Sequence, residues 1–209
     1  MNEAVFDVFR AQDLITPEAD ADTVDKYLSA LESFQCIGGM NLKDLQDMTA
    51  SINVCLNTPR GFRNGLRAAL TLVGQCSAEY FNQHGAKLVT VVAHQVMGKL
   101  HSLTPDVAVL ACQVMERLVS LSPNFPDVSK QLTSVSVKIV QSLILIGNQF
   151  PSSLHDVLAC LSTLLVTYPG SCGSVASQVE KFVCNRISVD QARATPVEQL
   201  AKCFAILPR

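Results

Sequence analysis

Tryptophan is absent from this 209-residue chain, and all aromatics together make up only 6%. A core must therefore come from Leu, Val, Ile and Ala, which the 48% hydrophobic content supplies. Charge is scarce at 16% and nearly balanced, with a formal net of -2. No strong basic field marks a nucleic-acid or anionic-lipid binder. Low-complexity runs are missing and Gly and Pro are few, which argues against disorder. The N-terminus "MNEAVFDVFR" has no basic stretch ahead of an apolar one, so it is not a secretory signal. The most apolar run, "VSVKIVQSLILIG" at 135–147, is too short to span a bilayer and carries Lys138. A soluble intracellular protein with no membrane segment is expected.

Signatures of catalysis are missing too. There is no GxGxxG, P-loop, GxSxG or HExxH pattern. His84, His94, His101 and His155 are scattered, none near a cysteine at zinc spacing, and read as surface or satisfied helix histidines. "CIGGMN" (36–41) follows a helical pattern rather than a strand, so it reads as a helix–helix turn and not a phosphate cradle. The eight cysteines, Cys36, Cys55, Cys76, Cys112, Cys160, Cys172, Cys184 and Cys203, form no CxxC. Zinc ligands come in close pairs, so these thiols are expected to be structural. No catalytic residue, metal site or cofactor is expected.

What is present is helical periodicity. Within "TPDVAVLACQVMERLVSLSP" (104–123), Thr104 can cap and Pro105 can open a helix, and Pro123 stops it. Val107, Leu110, Ala111, Val114, Leu118 and Leu121 form one apolar stripe. Val128, Leu132, Val135, Ile139, Leu143 and Ile146 form the next, ending near Gly147. Pro151 opens another, with Leu154, Val157, Leu158, Leu161, Leu164 and Leu165. Val175, Val179, Phe182 and Val183 mark one more, and Val197, Leu200 and Phe204 a last. Upstream, Asp22 or Thr23 is expected to cap a helix through Phe34, and Asn41 one through about Leu56. A further helix is expected from Pro59 to about Gly74, and Gly85 is expected to interrupt the segment 77–100. No period-two alternation is long enough for a sheet.

The pattern repeats. "LRAALTLVGQCS", "CQVMERLVSLSP" and "LACLSTLLVTYP" begin at residues 66, 112 and 158, and so recur every 46 residues. Leu72, Leu118 and Leu164 coincide, and Ser77, Pro123 and Pro169 fall on the corner. Two helices per unit at that period predict an all-α, HEAT- or armadillo-like α-solenoid. Such units bury their apolar faces only by stacking. Within "LVTYPGSCGSVASQVEKFV" (165–183), Pro169 and Gly170 then end one helix, Ser171 or Ser174 caps the next, and Cys172 packs the corner.

Two patterns could carry binding. Arg60, Arg63 and Arg67, spaced for one helical face, could meet an acidic partner, although a solvated face is the plainer reading. The acidic residues Glu18, Asp20, Asp22 and Asp25 are expected to be a solvated entry segment. "LSTLL" (161–165) matches the LxxLL pattern of helix-in-groove docking. Leu161, Leu164 and Leu165 occupy the inner stripe of the repeat, so core is expected.

Three stretches carry a resemblance: "RNGLRAALTLVGQCSAEYFNQHGAKLV" (63–89), "TYPGSCGSVASQVEKFVCNRI" (167–187) and "QLAKCFAILPR" (199–209). In order and spacing they resemble the N-terminal domain of the Rix-type pre-ribosomal family, in its proline-, glutamic acid- and leucine-rich animal branch. The likeness covers about 53–209, the expected helical-repeat domain, while the N-terminal helical segment 1–52 matches loosely. The resemblance implies a non-enzymatic scaffold of the nucleus, nucleolus and nucleoplasm, acting in pre-rRNA processing and large ribosomal subunit assembly. It implies a WD-repeat subunit, a second helical-repeat subunit, an AAA-type remodelling ATPase and the pre-ribosomal particle as partners. It also implies self-association to a homodimer and a link to transcription coregulation. The family's long acidic tail is lacking, so a fragment or truncated member is expected. An armadillo-like adaptor in trafficking or transport shares the fold signal, and fold alone does not separate the two.

Overall fold

The structure is a computed structural model and describes residues 14–33 and 35–190. Every element among them is helical, with no strand. The all-α expectation holds. The helix expected around 197–204, and Cys203 with it, lies outside the described residues. So does Phe34. The chain divides into two compact units, 1–95 and 96–209.

In the first unit, Ala21–Ser33 forms α1, Leu42–Asn57 α2, Phe62–Gln75 α3 and Ala78–Gly98 α4, whose last turn crosses the division. Asp20, not Asp22 or Thr23, starts α1: its Oδ2 accepts from the Thr23 N–H at 3.1 Å. Asn41 caps α2 as expected, accepting from the Asp44 N–H at 3.0 Å. Between them, Gln35 turns the chain at φ 50° into a 3₁₀ turn over Cys36–Gly39 that buries Ile37. The third helix begins at Phe62, so Pro59 and Arg60 form the turn that precedes it.

The α4 helix runs unbroken through Gly85, against the expectation of a break there. A mid-helix glycine costs only about 1 kcal/mol relative to alanine. Gly85 sits on a buried stripe with Tyr80, Phe81, Leu88, Val89 and Val92, whose burial outweighs that cost. In this unit α3 packs against both α1 and α2. The segment before α1 is strapped down: buried Asn64 donates to the carbonyls of Ala19 at 3.0 Å and Thr16 at 3.4 Å, and Ile15 is buried.

In the second unit, Pro105–Leu121 forms α5, Pro126–Gln149 α6, Leu154–Thr167 α7 and Ala176–Asp190 α8. Thr104 is the N-cap residue of α5 and Pro105 its first residue, as expected, though the Thr104 hydroxyl donates to Asp106 Oδ1 at 2.5 Å instead of capping an N–H. The principal packing is α5 on α7, one repeat apart. Ser122 and Tyr168, 46 residues apart, join their hydroxyls at 2.5 Å. Gln113 donates to Asp156 at 3.0 Å, and Thr163 to Glu116 at 3.2 Å. Likewise α6 meets α8, where Arg186 donates to the Gly147 carbonyl and to Asn148 Oδ1, both at 2.9 Å.

Between α7 and α8 the chain makes one turn over Pro169–Cys172 and a 3₁₀ turn over Gly173–Val175. Ser171 does not cap α8. Its hydroxyl donates back to the Tyr168 carbonyl at 3.1 Å. Cys172 is buried in this corner, which packs on α6.

Candidate partner-binding groove

The arginine triad is split. Arg60 is exposed in the turn before α3, so the three do not share one helix. Arg63 and Arg67 are turned inward within the first unit. Arg63 Nη2 meets Asp25 Oδ2 at 2.7 Å. Arg67 grips Glu32 with both terminal nitrogens, at 2.6 and 2.9 Å. Thr71 donates to Glu32 Oε1 at 2.6 Å and accepts from Arg67 at 2.7 Å. Gln75 Nε2 donates to the Glu32 carbonyl at 2.9 Å. Asp25 is therefore an anchor of α1 on α3 and not a purely solvated charge.

The bidentate bond from Arg67 holds the Glu32 carboxyl below its usual range, against burial, which raises it. Glu32 binds its proton more weakly folded than unfolded. Its contribution is present above the unfolded pKa and is lost as pH falls through the lower, folded value. The expected result is that the chain loses stability below about pH 5, and that Glu32→Gln is less stable at neutral pH and shows a shallower acid loss. Urea midpoints of both proteins across that range check it. A parallel acid loss in the two proteins would remove Glu32 as its cause.

Four thiols, Cys55, Cys112, Cys160 and Cys172, are buried and held in their unreactive form. Burial pushes Cys55 up to about 11 and Cys112 to about 12, and Cys160 and Cys172 also rise by burial. A thiol so shifted stays protonated and is a poor nucleophile or ligand. Among the described residues, no three His, Cys, Asp or Glu side chains cluster to hold a metal. No single described helix is long and apolar enough to cross a membrane. Leu161, Leu164 and Leu165 are buried at 0%, 0% and 4% exposure, inside α7.

A concave feature of the first unit is a groove of about 350 Å³ between α2 and α4. Asn41 and its cap set where α2 begins. Unbroken passage through Gly85 then sets the face of α4. Tyr80, His84, Leu88 and Val91 follow at helical spacing and look across at Gln46, Thr49 and Asn53. Ala50, Ile52, Leu88 and Val91 supply the apolar surface. The Tyr80 hydroxyl, buried, bonds the Thr49 hydroxyl and the Leu45 carbonyl at 3.4 Å. Desolvation raises the Tyr80 pKa, so it stays a neutral hydrogen-bonding post. The His84 ring lies 4.9 Å from that of Tyr80, centroid to centroid, and its Nε2 is 3.5 Å from Gln46 Nε2. Outside the lining, Gln95 links α4 to α2 by donating to Asn57 at 2.7 Å.

Sequence reasoning did not reach this groove. Placing a break at Gly85 separated Tyr80 and His84 from Leu88 and Val91. Their i, i+4, i+8, i+11 spacing was the available signal. The groove has apolar walls and neutral or basic polar groups, a lining that suits a bound ligand.

No curated protein matches the chain. The sequence profile of the RIX1 family, described as rRNA processing/ribosome biogenesis, matches residues 11–194. That span covers most of each unit, with the strapped segment 14–20 and the groove, and with most of its length covered the chain belongs to the RIX1 family of rRNA-processing and ribosome-biogenesis proteins.

Proposed function

We propose that the chain is a non-enzymatic scaffold in assembly of the large ribosomal subunit. The observation that carries this reading is the family match across 11–194. The helical packing supports it, since stacked helix pairs present long surfaces for partners. On this reading the chain works in the nucleus and nucleolus. It joins a WD-repeat subunit and a second helical-repeat subunit, and together they engage an AAA-type remodelling ATPase on the pre-ribosome. Of the arginine triad, Arg60 is the member open to an acidic partner, since Arg63 and Arg67 hold α1 on α3.

A tagged pull-down of the full chain from nuclear extract, read by mass spectrometry, tests the proposal. Recovery of a WD-repeat subunit with large-subunit assembly factors is the expected result. Recovery of coat or transport proteins in their place would overturn it and favour a trafficking adaptor.

A further inference from the structure

We propose that the groove between α2 and α4 is a docking site for a short acidic peptide segment of a partner protein. An apolar side chain of that segment packs against Ala50 and Val91, and a carboxylate pairs with Lys87. The site rests on the scaffold reading only in that a scaffold must offer such sites.

Shape argues for an elongated occupant. Leu42, Gln46, Ala50 and Val54 follow at i, i+4 spacing and form one ridge along α2. Leu42 is 46% exposed and Val54 53%, two of the few large apolar side chains left open among the described residues. The ridge is about 18 Å long at 1.5 Å per residue. The groove volume alone is at the low end for small-molecule pockets. A ridge that carries open apolar side chains, Leu42 and Val54, beyond the pocket fits a peptide lying along the helix.

Charge argues for acidity. The ionisable groups of the lining are Tyr80, kept neutral, and the bases His84 and Lys87, with no carboxylate among them. Lys87 is exposed and makes no ion pair with the described residues. On α2, Lys43 and Asp47 stand one turn apart with opposite signs and offset each other. Asp44, the third charged residue of α2, belongs to the capped first turn and not to the lining, so the charge of the lining, carried by Lys87, is positive. Gln46 and Asn53 add exposed amides that can bond a peptide backbone.

The test uses the full chain and a phage library of random peptides. Two exposed positions are varied, Ala50→Arg to fill the groove and Lys87→Glu to reverse its charge, with helicity checked by circular dichroism. Expected is enrichment of peptides that combine apolar residues with Asp or Glu. Anisotropy with a synthetic copy should show affinity lost in Ala50→Arg and about tenfold weaker in Lys87→Glu. No enrichment, a basic or purely apolar consensus, or peptides that bind Ala50→Arg unchanged would each overturn the proposal. So would a change of oligomeric state in Ala50→Arg on gel filtration, which would give the groove to a second copy. The scaffold reading fails separately: if both variants still recover assembly factors from extract, only the groove assignment is tested by the peptides.

Discussion

Gly147→Val is expected to lower the stability of the second unit by about 3 kcal/mol, the upper range for overpacking a tight core. A Cβ at Gly147 would lie 2.6 Å from Phe182 Cζ and 3.2 Å from Val157 Cγ1. Residues of α6, α7 and α8 converge on that one point, so neither neighbour can yield freely. The clash falls on an aromatic ring that Arg186 covers at 5.5 Å from the ring centroid, while its guanidinium holds the Gly147 carbonyl. Phe182→Ala alone should cost about 3–5 kcal/mol. Since Phe182 is the group that meets the added methyls, the double variant should be clearly more stable than the sum of the two losses predicts. Urea denaturation of the four proteins of the cycle measures this. Additive losses would show that Gly147 and Phe182 do not share a contact.

Gly147 and Gly85 also show what a sequence does and does not reveal. Both stand in helical patterns. The end expected near Gly147 falls at Gln149, whereas the break expected at Gly85 is absent and α4 runs on to Gly98. Glycine weakens a helix only by local entropy, whereas burial of the flanking stripe is set by distant neighbours. The boundaries that sequence placed well, at Asn41 and Pro105, rest on local chemistry: an N-cap and a proline at the first turn. Pro151 opens a 3₁₀ turn over Pro151–Ser153, and α7 follows from Leu154.

The arginine triad shows the opposite limit. Only Arg63 and Arg67 share a helix, and Asp25 and Glu32 lie 38 and 35 residues before the side chains they hold. No local pattern links residues that far apart. The same holds for the groove, whose walls come from α2 and α4. The 46-residue recurrence did point to one long-range pairing, since Ser122 and Tyr168 stand at that separation and share a hydrogen bond.

Leu164→Ala is expected to cost about 3 kcal/mol, within the range for emptying a buried leucine site. Leu164 is fully buried, as is Leu161, and Leu165 is 4% exposed. Val166 is the contrast: it follows the pattern directly and is 62% exposed. Val166→Ala should therefore stay within about 0.5 kcal/mol of the parent. The comparison decides what "LSTLL" does. A docking motif must present its leucines to a partner, and a variant would then lose binding at unchanged stability. A core stripe loses stability first, and any partner only as the unit unfolds. Exposing each leucine would forfeit about 1.5–3 kcal/mol, so presenting all three would consume a large part of the 5–15 kcal/mol that holds a typical domain folded. Urea midpoints of both variants, beside affinity for a coregulator groove at a temperature where both are folded, separate the cases. Loss of affinity by Leu164→Ala with an unchanged midpoint would make the pattern a docking motif; the buried geometry predicts the reverse.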